Sequence, residues 1–136
     1  MASSKHPRPQ RNRAARLALI LHRDGAECVW CRRPFDSRLV RPTTEHVVPR
    51  IKGGPSWLEN EVAACRRCNS ARGHRTLGDW SVACMERGWA PNIVLILRRL
   101  DELEQEIQRK GGIRRARPYI RAQRRRLSGQ LDQDPP

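Results

Sequence analysis

The decisive stretch reads Cys28-Val29-Trp30-Cys31, then Glu45-His46-Val47-Val48-Pro49-Arg50, then Cys65-Arg66-Arg67-Cys68-Asn69. Two Cys-x-x-Cys pairs are the ligand pattern of a tetrahedral four-thiolate zinc site, each pair forming one tight knuckle. Two disulfides or four unrelated cysteines would satisfy the count as well. Two such spacings in one short chain point instead to Cys28, Cys31, Cys65 and Cys68 as ligands of one structural Zn²⁺. The interval from Cys31 to Cys65 is longer than in a minimal zinc finger, so a folded insert lies between the knuckles, and the chemistry with it.

The rest of the chain bounds what that insert can do. Its 136 residues suit one domain with a modest core plus tails. It carries 28 Lys and Arg against 14 Asp and Glu, a net charge of +14. Such a charge calls for a polyanionic partner, nucleic acid before a membrane; a ribosome-like or merely adhesive basic protein is the plainer alternative. Aromatic residues make up 4% of the chain, too few for base-stacking platforms. No apolar run reaches membrane-spanning length and no secretory leader is evident, so a cytoplasmic, bacterial or phage-like setting with reduced thiols is expected. The fifth cysteine, Cys84, reads as a small buried hydrophobe.

Working outward from the knuckles, Thr43 to Val48 reads as a short strand and Glu61 to Ala64 as a second. The loop between them contains Gly53-Gly54, and a helix runs from Cys65 to about Gly73. Upstream, Leu17, Ile20 and Leu21 give a helix over about 11–23 a core face, while Arg13 and Arg16 with no acid before Asp24 leave it a face for phosphate. Downstream, Thr76 and Asp79 form a capping box for a helix to about Arg87. Pro91 fits the first position of the next helix, which ends before Gly111. Its stripe of Ile93, Ile96, Leu97, Leu100, Leu103 and Ile107 is either a core face or a dimer seam through residues 91–110. Arg109 to Arg126 holds nine cations and no acid, and Pro118 fits the start of a last basic helix. Trp30 and Trp57 are expected at the site or in the core, Trp80 and Trp89 as anchors of the later helices. The expected organisation is a disordered arm at 1–10, a knuckle-framed domain with its N-terminal helix at 11–80, a helical extension at 81–110 and a basic tail at 111–136.

The frame resembles the HNH endonuclease family, the ββα-metal nucleases. The resemblance is carried by both cysteine pairs, Glu45-His46-Val47-Val48-Pro49-Arg50, Gly53-Gly54, Asn60, Asn69 and Arg72-Gly73, and covers roughly residues 26–80. The three name-giving positions fall on His46, Asn60 and Asn69, an H-N-N variant. It implies an α+β fold: a small ββα core pinned by the four-cysteine zinc site and flanked by helices. It also implies His46 as general base, Glu45 and Asn69 as ligands of a catalytic ion, Asn60 as a loop brace that orients His46, and Arg72 as a phosphate grip. Glu45 stands where many members have Asp, and Asn69 where many have a second His.

The residue chemistry agrees independently. A neutral imidazole at His46 can take a proton from water. Carboxylate and amide oxygens at Glu45 and Asn69 suit Mg²⁺ or Mn²⁺ rather than Zn²⁺. Adjacent strand residues face opposite ways, so Glu45 and His46 share a site only if the strand ends or bends there. Arg50, Arg72, Arg114, Arg115, Arg117, Arg124, Arg125 and Arg126 are the expected nucleic-acid contacts, with double-stranded DNA as partner. The two functions in contention are a metal-dependent DNA endonuclease and a non-catalytic zinc-stabilised nucleic-acid-binding module. A base beside a carboxylate favours the first.

Overall fold

The computed structural model describes residues 11–112 and 115–132; the expected arm at 1–10, Arg114 and the end at 133–136 lie outside them. Asn12 accepts the Ala15 N–H at 2.8 Å and opens helix α1 (Arg13–Asp24), which closes on Gly25 at φ +97°. Strand β1 (Pro42–His46) pairs antiparallel with β2 (Glu61–Cys65), Pro42 opposite Cys65 and His46 opposite Glu61. The first strand is shorter than the Thr43–Val48 run predicts. Beyond His46 the backbone leaves the ladder: Val47 N–H donates to the Asn60 carbonyl and Val48 N–H to the Asn60 side chain, both at 2.8 Å. Helix α2 (Arg66–Arg72) follows β2 directly, and the Cys65 sulfur at its cap accepts the Cys68 N–H at 3.4 Å. The result is an α+β fold built on one small ββα unit.

All five residues of β2 are buried, so both faces of this two-stranded sheet are covered, and α1 and α2 both pack against it. The alternation of an open-faced strand is absent for that reason. Helix α3 (Leu77–Glu86) is capped by Thr76, whose hydroxyl accepts the Asp79 N–H at 3.2 Å. Helix α4 (Ile93–Lys110) begins two residues after Pro91, because Asn92 takes the cap and accepts the Leu95 N–H. Its stripe is buried: Ile96, Leu100, Leu103 and Ile107 pack within the chain, with α4 against α5 (Ala116–Asp132) and the turn at Leu58–Asn60. The stripe therefore faces the core and not a second copy.

The segment expected as a basic tail differs most from expectation. Helix α5 buries Ala116, Tyr119, Ile120 and Leu127 against α3 and α4. Those residues recur at three and four, and the arginines between them take the outer face. Trp80 stands at the centre, edge-on to both Trp30 and Trp89 with ring centroids 6.3 Å apart in each case. Cys84 is fully buried among these elements, and burial pushes its thiol up to about 12. Among the described residues no helix is long and apolar enough to cross a membrane.

Helix α1 is held to the sheet by charge as well as packing. Glu61 is fully buried, and Arg16 Nε donates to its carboxylate at 2.6 Å. Arg23 reaches the carbonyls of Leu58 and Glu61 at 2.8 and 2.7 Å. Removing one partner of a buried pair strands the other charge, at about 3–5 kcal/mol. Arg16→Ala is therefore expected to lower unfolding free energy by about that much in urea titrations, whereas Arg16→Met with Glu61→Leu should recover most of it. Equal losses in the single and double variants would show that the pair does not carry the attachment.

Candidate active site and metal centre

The knuckle at Cys28–Cys31 and the one at Cys65–Cys68 converge, and their four sulfurs lie within 4.8 Å of one another. Cys31 Sγ and Cys65 Sγ are 3.9 Å apart, close to the ~3.8 Å edge of a tetrahedron with 2.3 Å metal–sulfur bonds. That separation is far beyond a disulfide, and the cysteines are free thiols. The donor set fits a metal such as zinc. Hydrogen bonds aimed at the sulfurs favour thiolates: Cys65 N–H and Trp30 N–H point at Cys28 Sγ at 3.3 and 3.4 Å. The Cys68 thiol, followed by backbone N–H groups, holds Cys28 down to about 4. Arg33 lies 3.5 Å from both Cys31 Sγ and Cys65 Sγ, so its guanidinium offsets the negative charge of a four-thiolate centre.

Glu45, His46 and Asn69 line a single cleft of 330 Å³, walled by Arg13 of α1 and by Arg50. The geometry meets the demand placed on the strand. β1 stops at His46, so Glu45 turns inward and His46 outward while both border the same space. His46 Nε2 is 3.0 Å from Ser56 Oγ, which also accepts from Arg50 Nη2 at 3.0 Å. Burial first, then the cations of Arg50, Arg16, Arg13 and Arg72, push the imidazole down to about 4. His46 is thus neutral and proton-accepting at ordinary pH.

Glu45 is buried, with one oxygen taking the Trp30 indole N–H and the other facing Arg72 Nη1 at 3.3 Å. Burial raises its pKa and the Arg72 cation opposes the rise. Asn69 Nδ2 donates to Thr43 Oγ1 at 3.0 Å and toward the Thr44 carbonyl at 3.4 Å, which leaves the amide oxygen as acceptor. A carboxylate has about four lone-pair positions, and two donors do not exhaust them. Glu45 and Asn69 therefore fit a hard divalent ion by donor chemistry, with Trp30 and Arg72 orienting the carboxylate from behind.

Arg72 departs from its expected role as a phosphate grip. It is 3% exposed and donates to the His46 carbonyl at 3.0 Å, the Val47 carbonyl at 3.3 Å and the Tyr119 hydroxyl at 3.3 Å. Every direction of its planar fork is used internally, so little remains for a substrate. Asn60 is fully buried; its oxygen accepts Val48 N–H, and its nitrogen donates to the carbonyls of Val48 at 3.0 Å and Pro55 at 2.9 Å. These bonds fasten the loop that carries Ser56 to the end of β1.

Of the expected C-terminal contacts, Arg124 pairs with Asp101 and Glu104 at 3.0 and 3.2 Å, and Arg126 with Asp79 at 2.5 Å. They bind helices to one another. Arg115 donates to the Ile51 carbonyl at 2.8 Å, Arg117 is half-buried and Arg125 is exposed. Sequence reasoning did not single out Ser56 or Tyr119, nor Arg13 as a wall of the cleft. Ser56 carries no spacing signal. Tyr119 is the only tyrosine of an aromatic-poor chain, and Arg13 lies on a helix face free of acids; both were cues.

A family model described as HNH endonuclease matches residues 28–81. The likeness to HNH endonucleases thus lies in residues 28–81. Among curated proteins the chain is similar to the CRISPR-associated endonuclease Cas9 of Corynebacterium diphtheriae (strain ATCC 700971 / NCTC 13129 / Biotype gravis). The two are 31% identical over 62 residues, 45% of this chain and 6% of the relative. The chain thus spans 6% of the length of that relative. No solved structure matches it.

The ββα unit depends on a close backbone approach at Gly54. A Cβ built there would stand 1.7 Å from the Val48 carbonyl oxygen and 2.9 Å from Asn60 Nδ2. Gly54→Ala must displace the loop that Asn60 fastens. It is expected to cost about 1–3 kcal/mol or more, read from the denaturant midpoint. Gly129→Ala in α5, where a Cβ meets nothing within 4 Å, should be neutral or stabilising by up to about 1 kcal/mol. Equal behaviour of the two variants would contradict the assigned approach.

Proposed function

We propose that the protein is a metal-dependent HNH endonuclease that hydrolyses DNA phosphodiester bonds, by nicking or by double-strand cutting. The observation that carries this reading is the convergence of Glu45, His46 and Asn69 on one cleft between Arg13 and Arg50. A neutral imidazole, two oxygen donors of the hard type and two flanking cations are what phosphodiester hydrolysis requires. His46 takes the proton of the attacking water, and Ser56 with Asn60 behind it holds the ring in place. Arg13 and Arg50 bracket the phosphate. Glu45 and Asn69 would hold one Mg²⁺ or Mn²⁺, which supplies positive charge against the phosphoryl oxygens. The four cysteines would hold a structural Zn²⁺.

The test is supercoiled plasmid incubated with protein and Mg²⁺ or Mn²⁺, against a chelator. His46→Ala should bind DNA like the parent and cut about 10²–10⁴-fold more slowly. Glu45→Ala and Asn69→Ala should instead raise the divalent-ion concentration needed for half-maximal cutting. Excess metal that rescues His46→Ala but not Glu45→Ala would reverse these roles, and full activity in all three variants would sink the nuclease reading. Metal analysis should find about one zinc per chain, and Cys65→Ser should fail to fold; a folded, zinc-free protein contradicts the structural site.

The pH dependence has a definite sign. His46 stays neutral in the fold down to about 4, so cutting should continue through pH 5–6, where an ordinary imidazole is mostly protonated. The unfolded chain binds the proton across that window and the fold does not, so stability should rise with pH from about 4 to about 6.5. A pH–rate profile with its acid limb at 6.5 or above would contradict the assignment.

A further inference from the structure

A second basic cleft, of 260 Å³, lies on the zinc-knuckle side of the ββα unit and is lined by Arg33, Arg38, Arg41, Arg66 and Arg67. None of these arginines belongs to an ion pair among the described residues. Arg33 is fixed to the sulfurs of Cys31 and Cys65, and Arg67 lies 4.5 Å over the Trp89 ring. Arg38, Arg41 and Arg66 are exposed, and no side-chain hydrogen bond engages them among the described residues. Asp36, on the same loop, is turned onto its own backbone, accepting the N–H groups of Arg38 and Leu39 at 2.8 and 2.5 Å. With Arg33 turned to the sulfurs, the three exposed guanidinium groups of Arg38, Arg41 and Arg66 stand without an ion-pair partner among the described residues, although like charges repel unless a partner neutralises them.

We propose that this cleft is a second phosphate-backbone site, which grips duplex DNA on the flank of the bond to be cut. The placement along the fold fits. Arg41 precedes β1 and His46 ends it, five residues on, a span of about 17 Å at 3.4 Å per strand residue. Along a duplex rising 3.4 Å per base pair that is about five base pairs. Helix α2 runs the same way: Arg66 and Arg67 at its start line the knuckle cleft, while Asn69 and Arg72 line the cleft of His46. One strand and one helix therefore connect both sites, and a duplex lying along them would meet cations at each end. Leu39, 86% exposed at the rim, offers an apolar contact suited to a sugar edge. The proposal shares its nucleic-acid substrate with the reading above but does not require cleavage.

The experiment uses full-length His46→Ala, which is expected to bind without cutting, and a fluorescent 30-base-pair duplex, with affinity measured between 50 and 200 mM salt. Arg38→Ser/Arg41→Ser/Arg66→Ser in that background should flatten the slope of log affinity against log salt by about two to three, at about 0.9 per phosphate contact. A control that removes equal charge elsewhere, Arg98→Ser/Arg109→Ser/Arg121→Ser, should change the slope by less than one phosphate contact. Zinc content and melting temperature should match the parent in both. An unchanged slope in the first variant, or an equal loss in both, overturns the proposal. So does loss of binding to anionic lipid vesicles with DNA binding intact, which would assign the patch to a membrane surface. Because the readout is binding, failure here leaves the nuclease reading standing, and a protein that never cuts still tests the patch.

Discussion

The guanidinium of Arg72 is the point on which the site depends. It faces the Glu45 carboxylate, supports the carbonyls of His46 and Val47 where β1 leaves its ladder, and reaches the hydroxyl of Tyr119. That hydroxyl in turn accepts the Leu77 N–H at 3.1 Å, the first residue of α3. One side chain thereby ties α2, β1, α3 and α5 together directly behind the cleft. A buried cation is tolerated only when its charge and all its donors are matched, and here the Glu45 carboxylate matches the charge while carbonyls and the Tyr119 hydroxyl match the donors. The site is held rigid from the inside, which is what the proposed base and oxygen donors would require in order to act on one phosphate.

Much of this was legible in the residues. The cysteine pairs, the Glu45-His46 doublet and the short β-branched run before it identify a ββα unit, because each has few alternative explanations. The role of Arg72 was not legible. An arginine one turn after Asn69 reads equally well as a surface cation or an internal strut, and only the fold decides which way it points. The C-terminal helix was legible from Pro118 onward, but its packing was not, for a different reason. Nine cations between Arg109 and Arg126 dominate its composition, and the apolar spacing of Ala116, Tyr119, Ile120 and Leu127 is thin beneath them. For α4 the stripe was plain but its partner was not: periodicity marks a buried face without saying what buries it.

The charge of the chain is unevenly used. Arg16, Arg72, Arg124 and Arg126 are drawn into pairs that fasten elements together, and Arg23 and Arg99 into pairs within their own helices. Arg13 and Arg50 at the cleft of His46, and the arginines of the knuckle cleft, form no ion pair among the described residues. A sum of +14 therefore overstates how much of the surface is available to a polyanion, and it hides where the available part sits. What matters for the cleft is local: burial first, and then cations that include Arg50 and Arg13, keep His46 uncharged, and those two arginines would also draw in a phosphate.

The bond from Arg72 to Tyr119 has a consequence for modularity. The segment that carries the family likeness ends at residue 81, yet the brace behind its carboxylate comes from a helix that begins at Ala116. Leu77 and Trp80, inside that segment, are fully buried in a core shared with Leu100, Ile120 and Leu127. Transplanted alone, residues 28–81 would carry the recognisable letters of the site without its backing. The unit that can be moved, shuffled or fused as one working piece runs from α1 through α5. A boundary drawn from motif likeness would cut through its core.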